Sequence, residues 1–183
     1  MYKLIVTYIL SMVSLSAYSD TTIEHGSNLK TAEAMIDAFY SFDPRILQPL
    51  LSVAGDAEAA ILSYQAWASG NYVVLVRSPC ISKSENNISC SITVQDDLVV
   101  ALETGFDVTD TFHLTFENTV IKSVETSSDD QPIYFKATEW VKANLPKVMK
   151  GACKSDGGIR ETPGDCARAM TDGYKQFMKV VKP

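Results

Sequence analysis

The stretch TDTFHLTFENTVIKSVET, Thr109 to Thr126, constrains the fold of this chain more than any other. Asp110, Phe112, Leu114 and Phe116 alternate with Thr111, His113, Thr115 and Glu117, so a strand here turns its phenylalanines to one side and its polar residues to the other. Glu117 to Thr119 supplies the turn, and Val120 to Thr126 runs back as the partner strand. The pattern predicts an antiparallel sheet with one buried face.

Helices precede this sheet. From Thr31, an N-cap residue, Met35, Ala38, Phe39 and Phe42 fall at helical spacing, with Glu33 in the first turn. Asp43-Pro44 stops that helix and starts a second, edged by Leu47, Leu50 and Leu51. Gly55-Asp56 opens a third, from Ala57 to about Ala68, with Ala60, Ile61, Tyr64 and Trp67 on one face and Gly70 as its stop. Residues 20–30 are polar and read as a flexible arm.

Tyr72 to Ser82 and Ile88 to Val94 are rich in β-forming residues and are joined by a polar turn. A regular hairpin centred near Glu85 sets Cys80 opposite Cys90, Val76 opposite Val94 and Ser78 opposite Ile92. Tyr72, Val74, Val76, Ile92 and Val94 then share a face, while Arg77 points away beside Thr93, free to pair with Glu103 or Asp107. Asp96 to Leu102 reads as a connecting segment, because an Asp that caps a helix is followed by paired valines that favour a strand. Asp129-Asp130 reads as part of a solvated loop. Pro132 begins a helical region with Phe135, Trp140, Val141 and Leu145 as core anchors, interrupted at Pro146. A last helix follows from Cys166 to about Val180, carrying Met170, Tyr174, Phe177 and Met178 on its apolar side.

The beginning of the chain reads as an export signal. Lys3 gives the positive start, Leu4 to Val13 is mostly apolar, and Ala17-Tyr18-Ser19 offers a cleavage site after Ser19. The apolar run is roughly ten residues, against about 20 for a membrane span, so no membrane association is expected after cleavage. Residues 20–183 then form one domain, located outside the cytoplasm, either secreted or periplasmic. The formal charge of −6 and the lack of basic runs argue against nucleic acid as a partner. Four cysteines, an even count in an exported chain, predict the disulfides Cys80–Cys90 and Cys153–Cys166, and their spacings do not suit a zinc site. The second bridge would close KSDGGIRETPGD, a loop too polar to pack alone, and is worth roughly 3 kcal/mol by the chain-entropy model. Asn87-Ile88-Ser89 matches a glycosylation sequon.

Helices followed by F-x-L-x-F, a turn and V-I-x-x-V resemble the nuclear transport factor 2-like superfamily, which includes SnoaL-like and ketosteroid isomerase-like proteins. The resemblance spans roughly Thr31 to Trp140, within a domain of residues 31–145, and is strongest over Phe112 to Val124, where Phe116-Glu117-Asn118-Thr119-Val120-Ile121 carries it. It implies an α+β fold in which N-terminal helices pack on a curved antiparallel sheet, a cone-shaped roll, with residues 146–183 added as a disulfide-closed loop and helix. The glycine usual in that turn is absent here, and the strand expected between the second and third helices shrinks to Leu51 to Ala54. One scaffold hosts enzymes, carriers and interaction modules, so fold alone assigns no activity.

The resemblance also implies a pocket between the helices and the concave sheet. Phe112, Leu114 and Phe116 would line it from the sheet, and the aromatic cluster Tyr64, Trp67 and Tyr72 would either form a wall for a small apolar ligand or pack as ordinary core. Asp110 shares the inward face, and Tyr40 on the first helix is the second candidate. By analogy with ketosteroid isomerase, a neutral Asp and a Tyr hydroxyl would stabilise an enolate-like oxyanion. The competing expectation is a solvated Asp110 at a frayed strand end and a Tyr40 packed in the core. His113 falls on the opposite face, which removes it from such a pocket. No G-x-S-x-G or paired histidine motif occurs, and no cofactor or metal is expected. The reading favours a binding or interaction module, with an isomerase, cyclase or dehydratase using Asp110 and Tyr40 as the alternative. Homodimerisation through the outer face bearing Arg77, Thr93 and His113 is the expected mode of self-association.

Overall fold

The computed structural model describes residues 18–156, 159–160 and 163–182. The segment expected as an export signal, residues 1–19, lies almost entirely outside the described residues. Three helices come first: α1 (Tyr18–Tyr40), α2 (Pro44–Leu51) and α3 (Asp56–Ala68). Because α1 starts at Tyr18, the segment expected as a flexible arm is helical, and it is anchored where Asn28, only 2 % exposed, donates from Nδ2 to the Glu85 carbonyl. Asp43 caps α2 by accepting from the Arg45 amide, as expected of Asp before Pro. Residues 52–55 form turns, with Gly55 at φ 59°, a left-handed conformation that leaves no room for the short strand expected between these helices.

The sheet is antiparallel and five-stranded. Strands β1 (Tyr72–Arg77) and β2 (Ile81–Ser84) both pair with β3 (Asn87–Asp96), which pairs with β4 (Val108–Glu117), which in turn pairs with β5 (Val120–Ser128). Between β3 and β4 lies α4 (Asp97–Ala101), capped by the Asp96 side chain, so the ambiguous connecting segment resolves in favour of the cap. The chain ends with α5 (Pro132–Asn144), α6 (Pro146–Lys150), a two-residue ribbon β6 (Ser155–Asp156) and β7 (Ile159–Arg160), and α7 (Pro163–Val181). The molecule is thus mixed α+β, with helices covering one face of the sheet.

The alternation in β4 holds along its whole length, since Val108, Asp110, Phe112, Leu114 and Phe116 are buried. They meet Ile88, Cys90, Ile92 and Val94 of β3 across the ladder, and the helices α1–α3 close over them to form the main core. A second cluster joins α4, α5 and α7 around Tyr174, Val141 and Leu98. Phe135, expected as a core anchor of α5, is exposed, while Ala137 and Val141 carry the burial. Both disulfides form as expected, Cys80–Cys90 and Cys153–Cys166.

The first strand departs from its expected register. Pro79 interrupts it, and a bulge between Val74 and Val76 shifts the pairing, so that Val76 stands opposite Thr93 and Arg77 opposite Ile92. The shift sends Val76 outward and Arg77 inward, the reverse of the regular-hairpin expectation. Arg77 accordingly pairs with Glu33 and Asp37 of α1, at 2.5 and 3.1 Å, and Glu103 pairs with Lys182 instead. The outward face of the sheet is therefore built without Arg77, from hydroxyl pairs such as Ser91 with Thr111 and Thr93 with Thr109.

The β4–β5 turn places Asn118 and Thr119 at φ 50° and 65°. Asn tolerates that region, but a β-branched Thr is strained there. Thr119→Gly should therefore stabilise the fold by about 1 kcal/mol despite its added unfolded-state entropy. A urea melt with an unchanged or lower midpoint would contradict this.

Candidate functional site

At one end of the main core, the apolar layer gives way to oxygen atoms. Asp110 stands on β4 between Ile92 of β3 and Ser128 of β5 and is 2 % exposed, so it is neither frayed nor solvated. Tyr40 closes α1, Tyr64 lies in α3 and Tyr72 opens β1. The rings are locked by packing: Phe112 lies edge-on to Phe39 at 4.9 Å between ring centres and stacks on Tyr64 at 6.0 Å. The Tyr64 and Tyr72 hydroxyls stand 3.4 Å apart.

Burial raises the Asp110 pKa from 3.8 to about 6, with Asp130 and Asp129 adding to the rise, while the Tyr64 and Tyr40 hydroxyls act in the opposite direction by favouring the carboxylate. Tyr40 Oη and Asp110 Oδ2 nevertheless complete no hydrogen bond of standard geometry. Two neighbouring buried polar atoms are thus poorly satisfied, a costly arrangement in an otherwise packed interior. Burial likewise pushes the tyrosine hydroxyls of Tyr40, Tyr64 and Tyr72 well above their ordinary value.

Asp96 extends this acidic group. Its Oδ1 accepts from Asn71 Nδ2 at 2.6 Å and from the Leu98 amide at 2.8 Å, yet burial prevails and raises its pKa to about 7. Asp130, half-buried, has its pKa raised mainly by burial and accepts from the Ser128 hydroxyl. Among the described residues no Lys or Arg forms an ion pair with Asp96, Asp110, Asp129 or Asp130.

A cleft of about 520 Å³ opens beside this group, between α3, α5 and α7. Tyr64, Trp67 and Tyr72 line it, together with Tyr134, Phe135 and Asp130. Tyr64 and Tyr72 therefore have one side toward the cleft and belong also to the cluster around Asp110. Tyr134 is held by Tyr174, whose hydroxyl donates to the Tyr134 carbonyl at 3.1 Å and whose ring lies edge-on at 5.5 Å. Cys153 contributes to the far wall, so the second disulfide fixes that side of the cleft.

The structure brings Asp110, Tyr40, Tyr64 and Tyr72 together and gives the cleft Tyr64, Trp67 and Tyr72. Phe112, Leu114 and Phe116, expected as lining, are at most 2 % exposed and do not line this cleft. The space they were expected to face is filled by Phe39, Tyr40 and Tyr64. His113 is exposed, with Nε2 3.0 Å from the Ser127 hydroxyl oxygen. Sequence reasoning misses Tyr134 and Asp130, the latter because paired aspartates read as a solvated loop. It also misses Asp96, although Ile92, Val94 and Asp96 continue one inward phase, the same signal that marks Asp110.

Among the described residues no group of three or more His, Cys, Asp and Glu could hold a metal ion, and no helix is long and apolar enough to cross a membrane. A wider groove of about 640 Å³ runs between α4 and α7. Its Lys182 and Lys175 are already paired with Glu103 and Asp172. No protein-family model, curated protein or solved structure matches the chain.

Proposed function

We propose that this is an exported binding protein of nuclear transport factor 2-like type, a cone-shaped α+β roll that holds a small ligand in the cleft between α3, α5 and α7. The observation that carries this reading is the cleft itself, about 520 Å³ in volume, walled by Tyr64, Trp67 and Tyr72 and adjoining the buried Asp110, whose Oδ2 completes no hydrogen bond of standard geometry. That volume suits a small molecule. Two disulfides support export into an oxidising compartment. The test is a fragment screen read by the two indole NH resonances. Fragments that occupy the cleft should shift Trp67 and spare Trp140, which packs on Phe177; a library that moves neither indole, or moves both equally, refutes the site.

A catalytic reading, an isomerase, cyclase or dehydratase using Asp110 and Tyr40, is favoured by the raised pKa of Asp110 and the two poorly satisfied oxygens. It would need a substrate to reach past Tyr64 and Tyr72. Asp110→Asn separates the readings: a binding protein keeps its fragment affinity, whereas an enzyme also loses turnover. An interaction reading rests on the edge strand β1, whose Val73, Leu75 and Val76 are about half exposed. A second copy pairing along that edge would give a homodimer through the sheet, and a sedimentation mass that stays monomeric with concentration would exclude it.

A further inference from the structure

We propose that the ligand of the cleft is a small organic cation, an amine or quaternary ammonium, bound among the rings of Trp67, Tyr72 and Tyr134 beside the Asp130 carboxylate. This inference rests on the binding reading above and names its ligand class. Aromatic rings attract a cation through their negative faces, and the cleft draws its lining from five aromatic residues, Phe135 at the rim included.

Charge selects between a cation and a neutral apolar ligand. Asp130 lines the cleft, is half-buried and has no basic partner among the described residues. Asp96 and Asp110 lie behind it, each close enough to Asp130 for the charge on one to raise the pKa of the other. The one Lys in the lining, Lys142, is already engaged by Glu139 at 2.8 Å, so it does not offset the aspartates. A bound ammonium group would supply the missing positive charge in a place where burial reduces screening by water.

The test compares phenyltrimethylammonium with tert-butylbenzene, which has the same shape without the charge, by following the Trp67 resonance at neutral pH. The cation should bind about tenfold more tightly, and added salt should narrow the gap. Asp130→Asn should remove most of the preference for the cation over the neutral probe; circular dichroism establishes that the variant is folded. Equal affinities for the two probes, or a preference that survives Asp130→Asn, overturn the cation assignment but leave the binding site standing. If neither probe moves Trp67, the binding reading fails and the assignment with it.

Discussion

Phe112→Ala should cost about 3–5 kcal/mol of stability. Phe112 is fully buried on β4, and the rings of Phe39, Tyr40 and Tyr64 pack around it. Removing its ring opens a cavity that three rings on two helices and the neighbouring strands cannot close. The expected result is a large drop in the urea midpoint with little change in slope. A small loss, under about 1 kcal/mol, would mean that Phe112 borders open space, as a pocket-lining residue would, and that the core is not packed as described.

The second large effect depends on pH. Asp110 has a pKa of about 6 in the fold, against 3.8 as its ordinary value, because burial disfavours the carboxylate. Between those values the native state holds a proton that the unfolded state has released, so the Asp110 contribution lowers stability as pH rises from about 4 and levels off above about 7. A shift of that size corresponds to roughly 3 kcal/mol. Asp110→Asn stays neutral throughout. It should match the parent near pH 4 and exceed it by about 3 kcal/mol at pH 8. Asp96, raised to about 7, keeps part of the slope in both proteins. Parallel stability curves for parent and variant would show that Asp110 ionises without cost and is reached by water.

The residues that set local structure are legible in the sequence. Period-2 alternation locates β4 and its inward Asp110, Asp43-Pro44 locates the start of α2, and the cysteine positions locate both bridges. A bulge carries no comparable signal, so the reversal of Val76 and Arg77 depends on how β1 meets β3 and on the pull of Glu33 and Asp37 upon the guanidinium. The cleft is half legible. Tyr64 and Trp67 can be placed on one helix, but Tyr134 and Asp130 enter only through the packing of α5 and α7, which joins residues far apart in the chain. The expected pocket behind Phe112 is lost for a reason of volume: helical spacing identifies Phe39 as facing the sheet, yet not that its ring and those of Tyr40 and Tyr64 would fill the space.

A buried aspartate, flanked by tyrosine hydroxyls and other acids, adjoins the aromatic cleft. Carbon-13 NMR of the side-chain carboxyl groups, followed across pH, tests this arrangement most directly. The Asp110 carboxyl should titrate with a midpoint of about 6 and move downward when phenyltrimethylammonium occupies the cleft, because a nearby positive charge favours the carboxylate. A midpoint near that of an exposed aspartate, with no response to the cation, would mean that Asp110 is solvated and apart from the cleft.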